Sequence, residues 1–319
     1  KRALAHDHGV TLRVVGITTR HHGQAVAAAE VVSDFSRTAR SPAKAGHYQS
    51  APAFIREACR RHRAAARQGR LIVVETTTLD IAKGEPAISH VRAALAGGAH
   101  VVTANKGPAA FAYRALARAA ARAKRRFLFE GAVMDGIPIF NLVRETLPAV
   151  TVVGFRGVVN STTNYILTAM EEGESFDAAL ARMQAAGIAE ADPSLDVDGW
   201  DAAAKTAALA NVLLDARITP HAVERTGISR GDGARAIAAR NAGRRLKLVV
   251  RARREGRRVD ARVSPEELPA DDLLAGLDGP QNAMILETDI LDEFAIVQRG
   301  GGLTHTAYAL LSDVLAIGR

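Results

Sequence analysis

Three runs decide the fold: Leu71-Ile72-Val73-Val74-Glu75-Thr76, His100-Val101-Val102-Thr103-Ala104-Asn105-Lys106-Gly107-Pro108 and Arg126-Phe127-Leu128-Phe129-Glu130. Each opens short and almost continuously apolar, as a strand buried on both faces must be. Helical patterns separate them, over 85–96 and 108–124. Parallel neighbours need such crossovers, and right-handed crossovers give an open, doubly wound α/β sheet.

Working outward, Lys1–His8 reads as the tail of a helix, Leu12–Ile17 as a further buried strand and Pro52–Gln68 as a helix. Between them, residues 18–52 are polar and broken by Gly23, Pro42 and Gly46. The chain has no initial Met and no signal-peptide pattern, so we expect it to begin downstream of a natural start. After Gly131 the pattern changes. A longer strand over 150–159 leads into helices at 160–172, 175–186 and 199–214. Strands are expected at 246–251, 257–263, 283–288 and 294–298, then a helix over 304–317 with Ala307, Leu310, Leu311, Val314 and Leu315 on one face. This second part is α+β.

Composition sets the limits. The 319 residues allow two domains, and 48% hydrophobic with 24% charged residues is normal for a globular chain. No apolar run is long enough for a membrane helix. Cys59 is the single cysteine, which excludes an intrachain disulfide and a thiolate zinc cluster and points to a reducing, cytoplasmic setting. A net charge of +8 suits anionic ligands. The Arg-rich stretches lack interleaved aromatics, so they read as solvated helix surface rather than a nucleic-acid site.

In open α/β sheets ligands bind beyond the carboxyl ends of the strands, where Asn105 and Lys106 fall. Position alone leaves open whether they bind a ligand or merely form a turn. Thr77 and Thr78, after the first run, offer hydroxyls and backbone N–H groups to phosphate or ribose, or form an ordinary capping turn. Arg20 follows the strand over 12–17, where an acidic residue would hold a ribose 2′-hydroxyl; a guanidinium there suits a 2′-phosphate and favours NADP over NAD. The densest polar cluster runs from Gly187 to Lys205, with Glu190, Asp192, Asp196, Asp198 and Asp201. Asp201 and Lys205 are four apart and share a helix face. Spacing alone favours a bland reading here, with Asp198 as helix cap and Asp201–Lys205 as a surface ion pair.

These segments resemble homoserine dehydrogenase, in the short form without a C-terminal regulatory domain, over nearly the whole chain. The resemblance rests on VVTANKGP (101–108), EGAVMDGIPI (130–139), GVVNSTTNYILTAMEEG (157–173), GIAEADPSLDVDGWDAAAK (187–205) and QRGGGLTHTAYALLSDVL (298–315). It implies a Rossmann-type dinucleotide-binding domain, residues 1–136 completed by 303–319, and an α+β substrate-binding and dimerisation domain, 137–302. The implied reaction interconverts L-homoserine and L-aspartate 4-semialdehyde by hydride transfer with NADP or NAD, in a homodimer or larger homo-oligomer with no nucleic-acid or membrane partner. By the same resemblance Lys205 is the acid/base lysine, Asp201 its partner and Lys106 a second lysine reaching substrate and cofactor. Glu190 and Asp196 would hold the substrate ammonium, with Thr162 and Gly187 beside them. Gly302 would lie where the chain returns to the cofactor, and Glu130, Val133, Asp135 and Ile137 would form a structural sodium site made largely of backbone carbonyls. An amino-alcohol substrate explains the excess of carboxylate in the loop, and a lysine can both steady an alkoxide and move its proton.

Two departures stand out. The family's opening strand and its GxGxxG-type turn do not precede Leu12; they either lie about 20 residues upstream of Lys1 or are absent. Asp135 also stands where small residues are common. The missing glycine turn motivates a rival of another class, a non-catalytic NADP-binding sensor on the same fold. A thioester-forming semialdehyde dehydrogenase would need a nucleophilic cysteine, and Cys59, in a basic helix, is poorly placed for one.

Overall fold

A computed structural model describes residues 2–19, 24–26, 50–65, 69–186, 189–190 and 192–318. Helix α1 (Arg2–His8) precedes β1 (Gly16–Thr18), which pairs antiparallel with β2 (Gln24–Val26), Gly16 opposite Val26. The strand expected over 12–17 is therefore corrected: only its end is paired, and outside the parallel sheet. Val14 and Ile17 stay 49% and 41% exposed, so the run lacks the two covering layers of a central strand. Leu12 serves instead as packing against Val102, Leu128 and Val314.

The regular alternation follows: α2 (Ala51–Ala64), β3 (Ile72–Glu75), α3 (Ala87–Ala96), β4 (His100–Thr103), α4 (Gly107–Ala123) and β5 (Phe127–Leu128). The three strands form a parallel sheet in the order β3-β4-β5, with Ile72 opposite His100 and Val101 opposite Phe127. The third strand is shorter than its apolar run suggests. Phe129 leaves extended geometry and Glu130–Ala132 winds into a 3₁₀ turn.

Beyond this turn come α5 (Phe140–Thr146), β6 (Val152–Val158), α6 (Ser161–Glu171), α7 (Phe176–Ala185), α8 (Ser194–Val197) and α9 (Trp200–Leu213). They are followed by β7 (Glu224–Arg225), α10 (Asp232–Asn241), β8 (Arg244–Glu255), β9 (Arg258–Pro269), β10 (Asn282–Thr288), β11 (Glu293–Gln298) and α11 (Leu303–Gly318). The second sheet runs β11-β10-β6-β8-β9-β7, antiparallel except where β7 lies parallel to β9. Strands β8 and β9 extend well past their apolar centres because a two-residue turn, Gly256 at φ 59 and Arg257, pairs them from Glu255–Arg258 to Arg244–Pro269.

Successive side chains of a strand face opposite ways, and β4 uses both faces. Val101 joins the main core with Val91, Ala94 and Leu116 of α3 and α4, while Val102 meets Val314 and Ile317 of α11. The chain's last helix thus covers the second face of the first sheet. The two halves meet at α4 and α9. Ala203, Ala207 and Ala210 of α9 share one core with Ala109 and Ala110 of α4, and small side chains let two helices approach closely. Buried Asn211 locks the crossing by donating to the carbonyls of Ala109 and Ala110, each at 3.1 Å.

Candidate active site

The close approach of α4 and α9 brings two lysines from distant sequence together. Lys106 stands at the start of α4, beyond the carboxyl end of β4, and Lys205 lies in the second turn of α9. Both reach Asp201: Lys106 Nζ is 2.8 Å from Oδ1 and Lys205 Nζ is 2.9 Å from Oδ2. Lys205 also donates to the carbonyl of Val159 at 2.6 Å. The three side chains are only 14–20% exposed, so this is no solvated surface pair.

Burial alone would raise the Asp201 pKa, but the two ammonium groups overrule it and hold this carboxyl well below the usual range. Burial would likewise lower Lys106. The adjoining Asp201 charge wins, helped by Asp196 and Asp135, and holds Lys106 above an ordinary lysine. Asp196 shifts upward, first through burial and then through the Asp201 charge, while Asn160, Lys205 and Thr162 oppose the rise.

Asn160 organises the carboxylates. Its Nδ2 donates to Asp196 at 2.7 Å and to Asp201 at 3.0 Å, while its Oδ1 accepts from the Thr163 N–H and caps α6. No role was expected for it, although an Asn immediately before Ser-Thr-Thr is a helix-cap signal. Thr162 is buried and its hydroxyl supports Asp196. Gly199, at φ 80, occupies the cap position of α9, correcting the expected Asp198 cap. The exposed Asp198 gives its carbonyl to Arg225, whose guanidinium lies 3.8 Å above the Trp200 ring.

Several expected ligand groups are already engaged. Thr77 donates both its N–H and its hydroxyl to Glu75, a buried carboxylate that also accepts from Thr103 at 2.8 Å. Asn105 is buried; its Nδ2 donates to the carbonyls of Thr77 and Thr78 and its Oδ1 accepts from the Gly107 N–H. These two side chains therefore shape the loop rather than point polar groups outward, whereas Thr78 is exposed. Glu190 is exposed, with no ion pair among the described residues, so its side chain is not part of the lysine cluster. Arg20 and Gly187 lie outside the described residues.

The Glu130–Ile137 segment differs from a side-chain cation site. The Glu130 carboxylate accepts from the N–H groups of Ile139, Phe140 and Asn141 at 2.6, 3.0 and 2.5 Å, capping α5. Asp135, at φ 48, accepts from Gly302 N–H at 3.1 Å and the Thr306 hydroxyl at 3.0 Å. It anchors the Gly300–Gly302 strip at the head of α11. No backbone N–H among the described residues donates to the carbonyls of Val133, Asp135 or Ile137.

Two ammonium groups on one mostly buried carboxylate, beside a second carboxylate, can steady an alkoxide, move its proton and hold a cationic substituent. The homoserine dehydrogenase family model matches residues 138–315. The NAD(+)-dependent homoserine dehydrogenase of Pseudomonas canavaninivorans is 38% identical over 97% of this chain and 87% of its own length. Homoserine dehydrogenase of Methanocaldococcus jannaschii is 39% identical over 77% of this chain and 72% of its own. Among solved structures, an Archaeoglobus fulgidus chain provisionally assigned as a homoserine dehydrogenase superposes with a TM-score of 0.82 at 28% identity, over 99% of this chain and 93% of that one.

Proposed function

The chain belongs to the homoserine dehydrogenase family, and on that premise we propose that Lys205 moves the proton while Lys106 and Asp201 fix the charge around it. It is an oxidoreductase of that family, interconverting L-homoserine and L-aspartate 4-semialdehyde. The observation that carries the residue roles is donor use. An ammonium has three N–H bonds. Lys205 commits one to Asp201 and one to Val159, which leaves one for substrate.

In the oxidative direction, a neutral Lys205 takes the hydroxyl proton of homoserine as C4 loses hydride, and C4 becomes a carbonyl carbon. In the reductive direction it returns that proton to the developing alkoxide. Lys106, kept cationic by Asp201, faces the same oxygen and stabilises its negative charge. Asp196, with Thr162 and Glu190, holds the substrate ammonium. Glu190→Gln should therefore raise the KM for homoserine several-fold with little change in kcat, read from initial rates; an unchanged KM removes Glu190 from this role.

The cofactor supplies the site that accepts or donates hydride. Its face is marked by the carboxyl ends of β3 and β4, by Lys106 and by Gly300 and Gly302, where an added Cβ would meet nothing within 4 Å. NAD is supported by the name of the Pseudomonas relative. Arg20 supports NADP through its fit to a 2′-phosphate. Assaying homoserine with each dinucleotide in turn decides between them; no reduction of either excludes the enzyme reading and leaves the nucleotide sensor.

A sodium ion, where bound, would rest on the carbonyls of Val133, Asp135 and Ile137, since the Glu130 and Asp135 carboxylates are engaged elsewhere. For assembly we favour a homodimer in which the mixed sheet pairs with that of a second copy. No described helix is long and apolar enough to cross a membrane.

A further inference from the structure

At the opposite end of the parallel sheet from Lys106 lies a cavity of about 760 Å³, lined by His62, Arg63, Arg70, His100, Lys124, Arg125 and Arg126 over a floor of Cys59, Leu71 and Ile317. We propose that it binds a small organic phosphate, at a site separate from the hydride-transfer centre. Strand β4 separates the two, with His100 at the cavity and Thr103 three residues from Lys106.

The plainer reading is that the cations neutralise helix ends, because α2, α3, α4 and α11 all terminate here. Magnitudes decide against it as the whole explanation. Each helix C-terminus carries the equivalent of about half a negative charge. Among the described residues, the four ends together with Glu145, which pairs with Arg126, leave roughly two of the five permanent positive charges unmatched. Among the described residues, Arg63, Arg70, Lys124 and Arg125 form no ion pair with a carboxylate. A dianion supplies the missing charge.

The site is also built to hold its shape. Arg63 donates to Gly97 O at 3.2 Å, Arg125 to Gly98 O, Arg126 to Ala316 O at 3.0 Å and Arg70 to Ile317 O. Each guanidinium is thereby oriented by a backbone carbonyl while further N–H donors remain, an arrangement suited to phosphate oxygens. His100 accepts the Arg126 N–H at Nδ1, which leaves Nε2–H as another donor. Burial, together with Arg125, Arg70 and Arg126, lowers its pKa and keeps it neutral. The volume exceeds the needs of a bare phosphate ion and falls within the range of small-molecule pockets, so the phosphate should carry an organic group.

The test is calorimetric titration of the whole protein at fixed ionic strength with glycerol 3-phosphate and with inorganic phosphate, in wild type, in Arg63→Gln/Lys124→Gln and in Lys124→Gln alone. Arg63 and Lys124 are exposed and Lys124 has no side-chain partner among the described residues, so the variants should fold and keep homoserine oxidation. The expected result is one saturable site for the monoester, at least tenfold weaker in the double variant, weakened also by K124Q, and unchanged by saturating homoserine and dinucleotide. Equal affinity for inorganic phosphate assigns the site to the free ion and overturns the organic part. No saturable binding, or the same Kd in the double variant, overturns the site.

Discussion

At the scale of single residues, the centre is one carboxylate with two cations, and its consequences are asymmetric. Lys205→Ala should lower kcat for homoserine oxidation by two orders of magnitude or more while leaving dinucleotide affinity near wild type, which stopped-flow binding and steady-state rates separate. Equal losses in both would mean that Lys205 holds the cofactor instead. Asp201→Asn carries a prediction of sign. Asp201 keeps Lys106 above its ordinary pKa, so the neutral amide should let Lys106 lose its proton more readily. Lys106 must stay cationic to steady the alkoxide, so the alkaline limb of the kcat/KM profile should move to lower pH in Asp201→Asn, with a reduced plateau. A shift to higher pH would show that Asp201 does not set the charge of the pair.

At the scale of elements, the site depends on how α8 and α9 are seated. Gly227 lies against the end of α8 so closely that an added Cβ would come within 2.2 Å of Val197 O and 2.6 Å of the Asp198 carbonyl carbon. Gly227→Ala should push α8, and Asp196 with it, away from Asn160. We expect a loss of about 1–3 kcal/mol in stability and a several-fold higher KM for homoserine, measured by denaturant unfolding and initial rates. A variant matching wild type in both would show α8 to be free of this contact. The alternation of β3, α3, β4 and α4 was legible in the sequence because strands buried on both faces and Ala-rich helices each leave a strong periodic signal. Helix α5 left little: it is seven residues long and capped by Glu130 from nine to eleven residues upstream. Helix α10 buries only Ala236 and Ala239, too thin an apolar stripe to detect. The shape of the 75–78 loop was hidden for another reason. Thr77 and Asn105 read as ligand-binding groups, but Thr77 turns back onto Glu75 and Asn105 onto the carbonyls of Thr77 and Thr78, and a motif does not reveal which way its polar atoms turn.

At the scale of the whole molecule, the mixed sheet buries a charge far from the chemistry, on the face where Val249 and Leu277 form a separate small core. Lys247 on β8 is fully buried, donating to Asn164 Oδ1 at 3.2 Å and to Leu277 O. Burial, reinforced by Arg245, pulls its pKa down to about 8. The unfolded chain keeps that proton to about 10.4, so between these values it binds more protons than the folded state. Stability from this group therefore rises with pH across that window. Wild type should gain on Lys247→Met by on the order of 2–3 kcal/mol between pH 8 and pH 10, read from urea unfolding at each pH. Parallel stability curves would mean that the lysine titrates normally.

The convergence of Lys106 from the parallel-sheet half and Lys205 from the mixed-sheet half was legible only through family resemblance; spacing gave each lysine separately, and only the crossing of α4 on α9 joins them. A double-mutant cycle on kcat/KM for homoserine oxidation, with Lys106→Ala, Lys205→Ala and the double variant, tests that convergence most directly. Groups that work through one carboxylate act as a unit, so the double variant should be little worse than the poorer single one, a coupling of about 1 kcal/mol or more. Penalties that add to within about 0.5 kcal/mol would mean that the two ammonium groups act independently, and would contradict a shared centre.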